Sequence, residues 1–137
     1  MGQRTARSTR DRGAAAVEFA LLLPVLLLLV FGIIDFGRAL NAQITLTQAA
    51  REGARLDALG NPNVVSGTQA AAAPLSPVTV TVTTCQPNAG ASANATVKAV
   101  FSFQFVTPIA AISRMFGAGT LGANMTLTAT GVMPCET

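Results

Sequence analysis

Histidine, tryptophan and tyrosine are absent from this chain, and charged residues make up only 11% of its 137 positions. Without histidine the commonest general base and a common metal ligand are missing. Two cysteines with neither a histidine nor a second cysteine pair do not make a metal site. The remaining residues offer no acid–base or nucleophilic constellation, so we expect no enzyme, no cofactor, no metal and no small-molecule substrate. The scarce charge is also unevenly placed. Arg4, Arg7, Arg10 and Arg12 against Asp11 carry the whole net charge of +3, and from Gly13 onward five basic and five acidic residues balance. A nucleic-acid binder needs a basic patch on its folded part. This chain has its excess in a short leader instead, which fits the positive-inside rule for membrane orientation and excludes nucleic acid as a partner.

What the chain has in quantity is apolar surface, gathered into one run. Residues 14–34 contain a single charge, Glu18. As a helix these 21 residues span about 31 Å, the thickness of a bilayer core. Leucine, valine, isoleucine and phenylalanine on all sides imply burial all round, in lipid or among helices. Pro24 lies inside the run, and a membrane helix tolerates it as a kink or as local unwinding. A secretory signal peptide would need a shorter run and a small-residue cleavage site after it, but Asp35 and Arg38 follow here. The topology expected is a single pass through the cytoplasmic membrane, N-terminus inside and head outside.

The chain divides into a basic cytoplasmic leader (1–13), a transmembrane helix (14–34), a helical extension (35–60), a linker (61–77) and a small β-rich extracytoplasmic head (78–137). The leader is polar and expected to be disordered by itself. The extension has no proline. It carries two stripes at helical spacing, one of Phe36, Leu40, Ile44 and Thr47, the other of the smaller Ala42, Ala49 and Gly53 with Leu56. Glu52 and Arg55 are placed for an i,i+3 pair, and Arg51 to Arg55 reads either as an interaction epitope or as a solvated face. Gly60 followed by Asn61-Pro62 signals a helix stop. A helix continuous from Ala14 to Leu59 would be about 69 Å long and project well beyond the membrane. The linker is rich in Pro, Gly, Ser and Ala.

Beyond the linker the period changes to two. Val78, Val80 and Val82 alternate with threonines, Val97, Ala99, Phe101, Phe103 and Phe105 share one face of residues 95–105, and Met125, Leu127 and Ala129 alternate with threonines over 124–132. Thr107-Pro108 reads as the N-cap and first residue of a short helix reaching about residue 116, followed by a glycine-rich loop at 117–122 that lacks the Lys-Ser/Thr of a phosphate loop. Two Asn-X-Thr triplets, at Asn94 and Asn124, belong more naturally to the strand pattern than to glycosylation. Three strands with one apolar face need a cover, and the outer half of the long helix and the short helix are the candidates. The fold class expected is α+β: a long N-terminal membrane-spanning helix extended into a stalk, packed on a small antiparallel sheet of about three strands with one short helix. Cys85 and Cys135, an even count in a small exported domain, favour a disulfide over two buried thiols.

The block RDRGAAAVEFALLLPVLLLLVFGIIDFGRALNAQITLTQAAREGAR resembles the TadE-like family, pilin-like components of the tight adherence (Flp) pilus system. The likeness rests on Arg12-Gly13, on Ala14 to Phe19, on Leu23-Pro24, on Gly32 to Arg38 and on Ala49 to Arg55. It covers about a third of the chain, and the head matches only loosely. The resemblance implies a prepilin-type peptidase cutting after Gly13, with Ala14 the new N-terminus, Phe19 in the recognition block and Glu18 the acid at the fifth mature position. On the residues alone, Glu18 either snorkels to water at headgroup depth or pairs with a cation. A carboxylate within the bilayer is costly, and the freed α-ammonium of a neighbouring subunit would offset that cost. The resemblance implies the second role. The function expected is that of a minor pilin-like (pseudopilin) subunit of a Tad/Flp-type pilus or secretion system, acting in filament assembly, priming or adhesion. Its partners would be the membrane, the peptidase, other pilin-like subunits and the Tad assembly machinery. The alternative is a permanently membrane-anchored envelope protein whose head binds a partner without any filament.

Overall fold

The structure is a computed structural model and describes residues 7–85, 93–108, 111, 114, 117 and 123–135. One helix, α1 (Arg7–Ala58), runs unbroken for 52 residues, about 78 Å at 1.5 Å per residue. It begins within the leader that composition read as disordered. Pro24 sits inside it without ending it, so the ring costs one backbone hydrogen bond and no helical residues. The stop is as expected. Gly60 takes the left-handed conformation (φ 67°), its N–H donates to the Asp57 carbonyl at 2.9 Å, and the Asn61 N–H donates to the Leu56 carbonyl at 2.9 Å. Together these satisfy the last carbonyls of the helix. Asp57 is buried there with its Oδ2 unbonded among the described residues, a local cost.

The stretch read as a linker is not irregular. It contains α2 (Val64–Ala71), eight residues long, too short and too small in side chain for a periodic signal. Its stability is tertiary. Gly67 lies against Leu56, and Thr68 is seated against Gly53, where an added Cβ would overlap the Thr68 hydroxyl and come within 3.0 Å of Val97. Small residues let the two helices approach closely, and Val64, Thr68 and Ala72 become buried. Residues 72–77 then turn into the sheet, with cis bonds before Pro74 and Pro77, and Gln69 donates to the Val78 carbonyl at 3.1 Å.

The sheet has three antiparallel strands, β1 (Val78–Thr83), β2 (Asn94–Phe103) and β3 (Met125–Pro134), in the order β1-β2-β3. Register aligns the inward residues in rows across it: Val78, Phe101 and Leu127; Val80, Ala99 and Ala129; Val82, Val97 and Gly131. Threonines face outward on all three strands, as the alternation required. The inner rows are small at their centre, and α1 meets them with Ala42, Leu46, Ala49 and Ala50, all buried. Gln43 fixes the contact by donating to the Thr128 carbonyl at 3.0 Å. The extension is therefore the spine of the head. The sheet and α2 lie along it from Asp35 to Asp57, so the outer half of the long helix covers the sheet as expected. The α+β class stands, with α2 as its short helix. The short helix expected at 107–116 and the glycine-rich loop at 117–122 fall largely outside the described residues. Cys85 and Cys135, after β1 and β3, are bonded with Cα atoms 5.8 Å apart.

Candidate functional site

The chemistry-bearing part of the molecule is the surface of α1, and its two sides differ. From Asp35 onward one side is covered by the head, through Asp35, Ala39, Ala42, Leu46, Ala49, Gly53 and Asp57, three or four residues apart and mostly small. The larger stripe remains bare, with Phe36 65%, Leu40 51% and Ile44 57% exposed. Between Gly13 and Ile34 no described residue of the helix is buried. Below Ile34 that bareness is what lipid requires. Above it the bare stripe continues to Ile44, about 15 Å farther along the axis. Past Ile44 the same side turns polar, with Gln48, Arg51 and Arg55 exposed. The Arg55–Glu52 pair forms at 3.2 Å on the surface, where such pairs contribute little.

Glu18 lies exposed on the bare half of α1, and makes no ion pair among the described side chains. Gly13, Ala14 and Phe19 are exposed beside it on the same unbroken helix. They do not come near the disulfide, which closes the sheet at the membrane-distal end of the head.

A second polar cluster sits where the apolar run ends. The Asp35 carboxylate is 1% exposed and accepts hydrogen bonds from the Thr107 hydroxyl, from the Thr107 N–H at 3.3 Å and from Arg38 at 3.1 Å. Arg38 in turn lies 5.4 Å from the centroid of the Phe103 ring, which meets Phe105 edge to face at 5.5 Å. Burial pushes the Asp35 carboxyl up. The bonds from the Thr107 hydroxyl and amide, from Arg38 and from the Val106 amide outweigh that and hold it below its ordinary value. Sequence pattern makes Asp35 the first residue of the helical extension and Thr107 a helix cap. The bond between them spans 72 positions, and no local signal announces it. Beside this clamp is a half-open groove of about 620 Å³ lined by Arg38, Asn41, Thr45, Leu75, Phe103 and Gln104 among others. Arg38 is its one charged lining residue among those described.

The clamp makes a testable contribution. Asp35→Asn removes the charge that both Thr107 donors and Arg38 were built around, and should destabilise the head by about 2 kcal/mol at neutral pH. The folded carboxyl titrates below 3.8. Its contribution is therefore complete above about pH 5 and is lost as pH falls from there through the lower folded value. Urea unfolding of the full chain in micelles should show a gap between wild type and Asp35→Asn that is constant near neutrality and narrows in acid. A gap that narrows already between about pH 7 and pH 5 would contradict the assignment.

The fold and this surface define a class: a protein anchored by a single helix long and apolar enough to cross a membrane, with a small disulfide-closed α+β head clasped to that helix's distal half. Residues 13–55 match the family model described as TadE-like protein, the family that the N-terminal block resembles. The match covers Glu18, Asp35 and the helix face beneath the head, about a third of the chain. No curated protein and no solved structure matches the chain. TadE-like proteins are pilus-associated structural components.

Proposed function

We propose that this protein is a minor pilin-like subunit of a Tad/Flp-type pilus or secretion system, held in the cytoplasmic membrane with its N-terminus inside and its head outside. It enters or primes a filament by packing α1 against the α1 of neighbouring subunits. The observation that carries this reading is the bare stripe of Phe36, Leu40 and Ile44. A permanent anchor has no use for a stripe of large apolar side chains that continues up to about 15 Å above the end of its span, whereas a subunit that bundles with others buries them. Gly32 and Gly37 on the same helix allow close approach. Cleavage after Gly13 by a prepilin-type peptidase would free the Ala14 ammonium, and Glu18 of one subunit would meet the Ala14 ammonium of the next. Two opposite charges out of water in a filament core favour each other strongly, and either alone is costly there.

Shear fractionation is the direct test. The wild-type protein should leave the cell with surface filaments or remain at their base. Glu18→Ala, which deletes the charge while leaving the span more apolar, should remove the protein from that fraction and leave it in the membrane at normal abundance. The alternative reading, an anchored envelope protein that uses its head alone, requires both proteins to fractionate identically. N-terminal sequencing decides processing separately: a mature chain beginning at Ala14 is expected, and one beginning at Met1 or Gly2 removes the peptidase from the scheme.

A further inference from the structure

The head is clasped to α1 at a definite height, which brings a part of it unconnected with the helix stripe to the bilayer. The Asp35 carboxylate, at the first position after the apolar run, holds the Thr107 hydroxyl and N–H. The segment 104–108 that follows β2 is thus fixed level with the end of the span. At this level Val106 is 74% exposed, and Pro108 is exposed with it. Phe36, the next residue of α1, is exposed at the same height. We propose that segment 104–108 is a second membrane contact, in which Val106 enters the headgroup layer of the leaflet from which α1 emerges and the Arg38 guanidinium meets lipid phosphates.

Three observations favour lipid as the occupant. The contact is continuous with the span, since the residue that ends the apolar run is the one that grips the loop. The charge is of the right sign: Arg38, one helical turn above Asp35, keeps a side chain 46% exposed, and Asp35 beside it is enclosed. The described acids of the extension, Glu52 and Asp57, lie about five and six turns farther along α1. Finally, the aromatic pair Phe103 and Phe105 stiffens the strand end leading into the loop, so the exposed valine is presented on a braced segment. The head then rides on the bilayer at two points, and its orientation about α1 is set relative to the membrane plane before any assembly. The proposal rests on the membrane-anchored reading of α1 and is independent of filament formation.

The chain has no tryptophan or tyrosine, so one introduced tryptophan is its only long-wavelength fluorophore. Full-length protein carrying Val106→Trp, reconstituted in anionic phosphatidylglycerol–phosphatidylcholine vesicles, is expected to show blue-shifted emission. It should lose most of its intensity in lipids brominated near the headgroup, and less in lipids brominated near the chain ends. Val65→Trp, on the exposed side of α2 at the far end of the head, should be quenched by aqueous iodide and not by brominated lipid. Adding Thr107→Val to Val106→Trp removes the hydroxyl bond to Asp35, leaving only the weaker backbone bond, and should reduce the lipid quenching. Retention of the disulfide on a non-reducing gel verifies folding of each variant. Val106→Trp quenched by iodide to the same extent as Val65→Trp would overturn the proposal, as would a tryptophan shielded from both quenchers, which would place another protein copy over the loop. Leu27→Trp, on the apolar run, separates the two levels of argument. If it is quenched by lipid while Val106→Trp is not, this proposal alone fails; if it is unquenched, the anchored reading fails and takes this proposal with it.

Discussion

Loss of the Cys85–Cys135 bond should lower the stability of the head by about 4 kcal/mol. The bond closes a loop across 50 positions of sequence, and in the chain-entropy model a loop of that length restricts the unfolded ensemble by about that amount. The location in the fold makes the loss hard to absorb. β1 is an edge strand paired with β2 through only six residues, and β3 is the opposite edge. The disulfide joins the ends of these two outer strands across the start of β2, where the Cys135 N–H donates to the Ala93 carbonyl at 2.9 Å. A head whose core consists largely of alanine and valine has little other reserve. Urea unfolding of full-length protein in detergent micelles, with and without reductant and alongside the Cys85→Ser/Cys135→Ser double variant, measures the effect. Coincident unfolding curves for oxidised and reduced protein would show that the bond contributes nothing.

The second large effect is expected at Gly131. A Cβ there would overlap the carbonyl group of Ala50 and lie 2.8 Å from the Arg51 amide nitrogen. The obstacle is helix backbone, which has no rotamer to change, so α1 and β3 must separate along their contact. Gly131→Ala should cost about 3 kcal/mol or more, at the upper end for overpacking. Gly37→Ala, on the uncovered side of α1 with nothing within 4 Å of the added carbon, is the matched control. It should stabilise the isolated subunit by about 0.5–1 kcal/mol through helix propensity. Thermal unfolding followed by circular dichroism compares them. Equal melting temperatures for the two variants would mean that the helix does not press on the strand as described.

Both predictions depend on a choice between two stripes that sequence patterning leaves open. Phe36, Leu40 and Ile44 have the larger transfer free energy, so a rule that counts apolar area would turn them toward the sheet. The sheet's inner face has Ala99, Ala129 and Gly131 in its central rows, and these leave a shallow surface. Only a small-residue helix face can come close enough to fill it without voids. Shape complementarity therefore buries Ala42, Ala49, Ala50 and Gly53 and leaves the large residues outside. The same reason explains α2. Its composition resembles a linker, but Gly67 and Thr68 are what contact with Leu56 and Gly53 demands. The Asp35–Thr107 clamp was invisible for a different reason, since its two ends meet only after the whole sheet has formed.

The sequence by itself determined the elements whose causes are local or compositional. These are an apolar helix of membrane length, its continuation past Asp35 and its glycine stop at Gly60, three alternating strands, and two cysteines suited to one bond. It also carried the TadE-like block from Gly13 to Arg55. Only the tertiary structure decided how these elements face one another. The small side of the extension is spent on the sheet, its large side is free, and the loop after β2 is tied down at the end of the span. Hydrophobic period and turn chemistry act within a few residues and can be read in order along a chain. The fit of one surface to another, and the partner of a buried carboxylate, arise between distant segments.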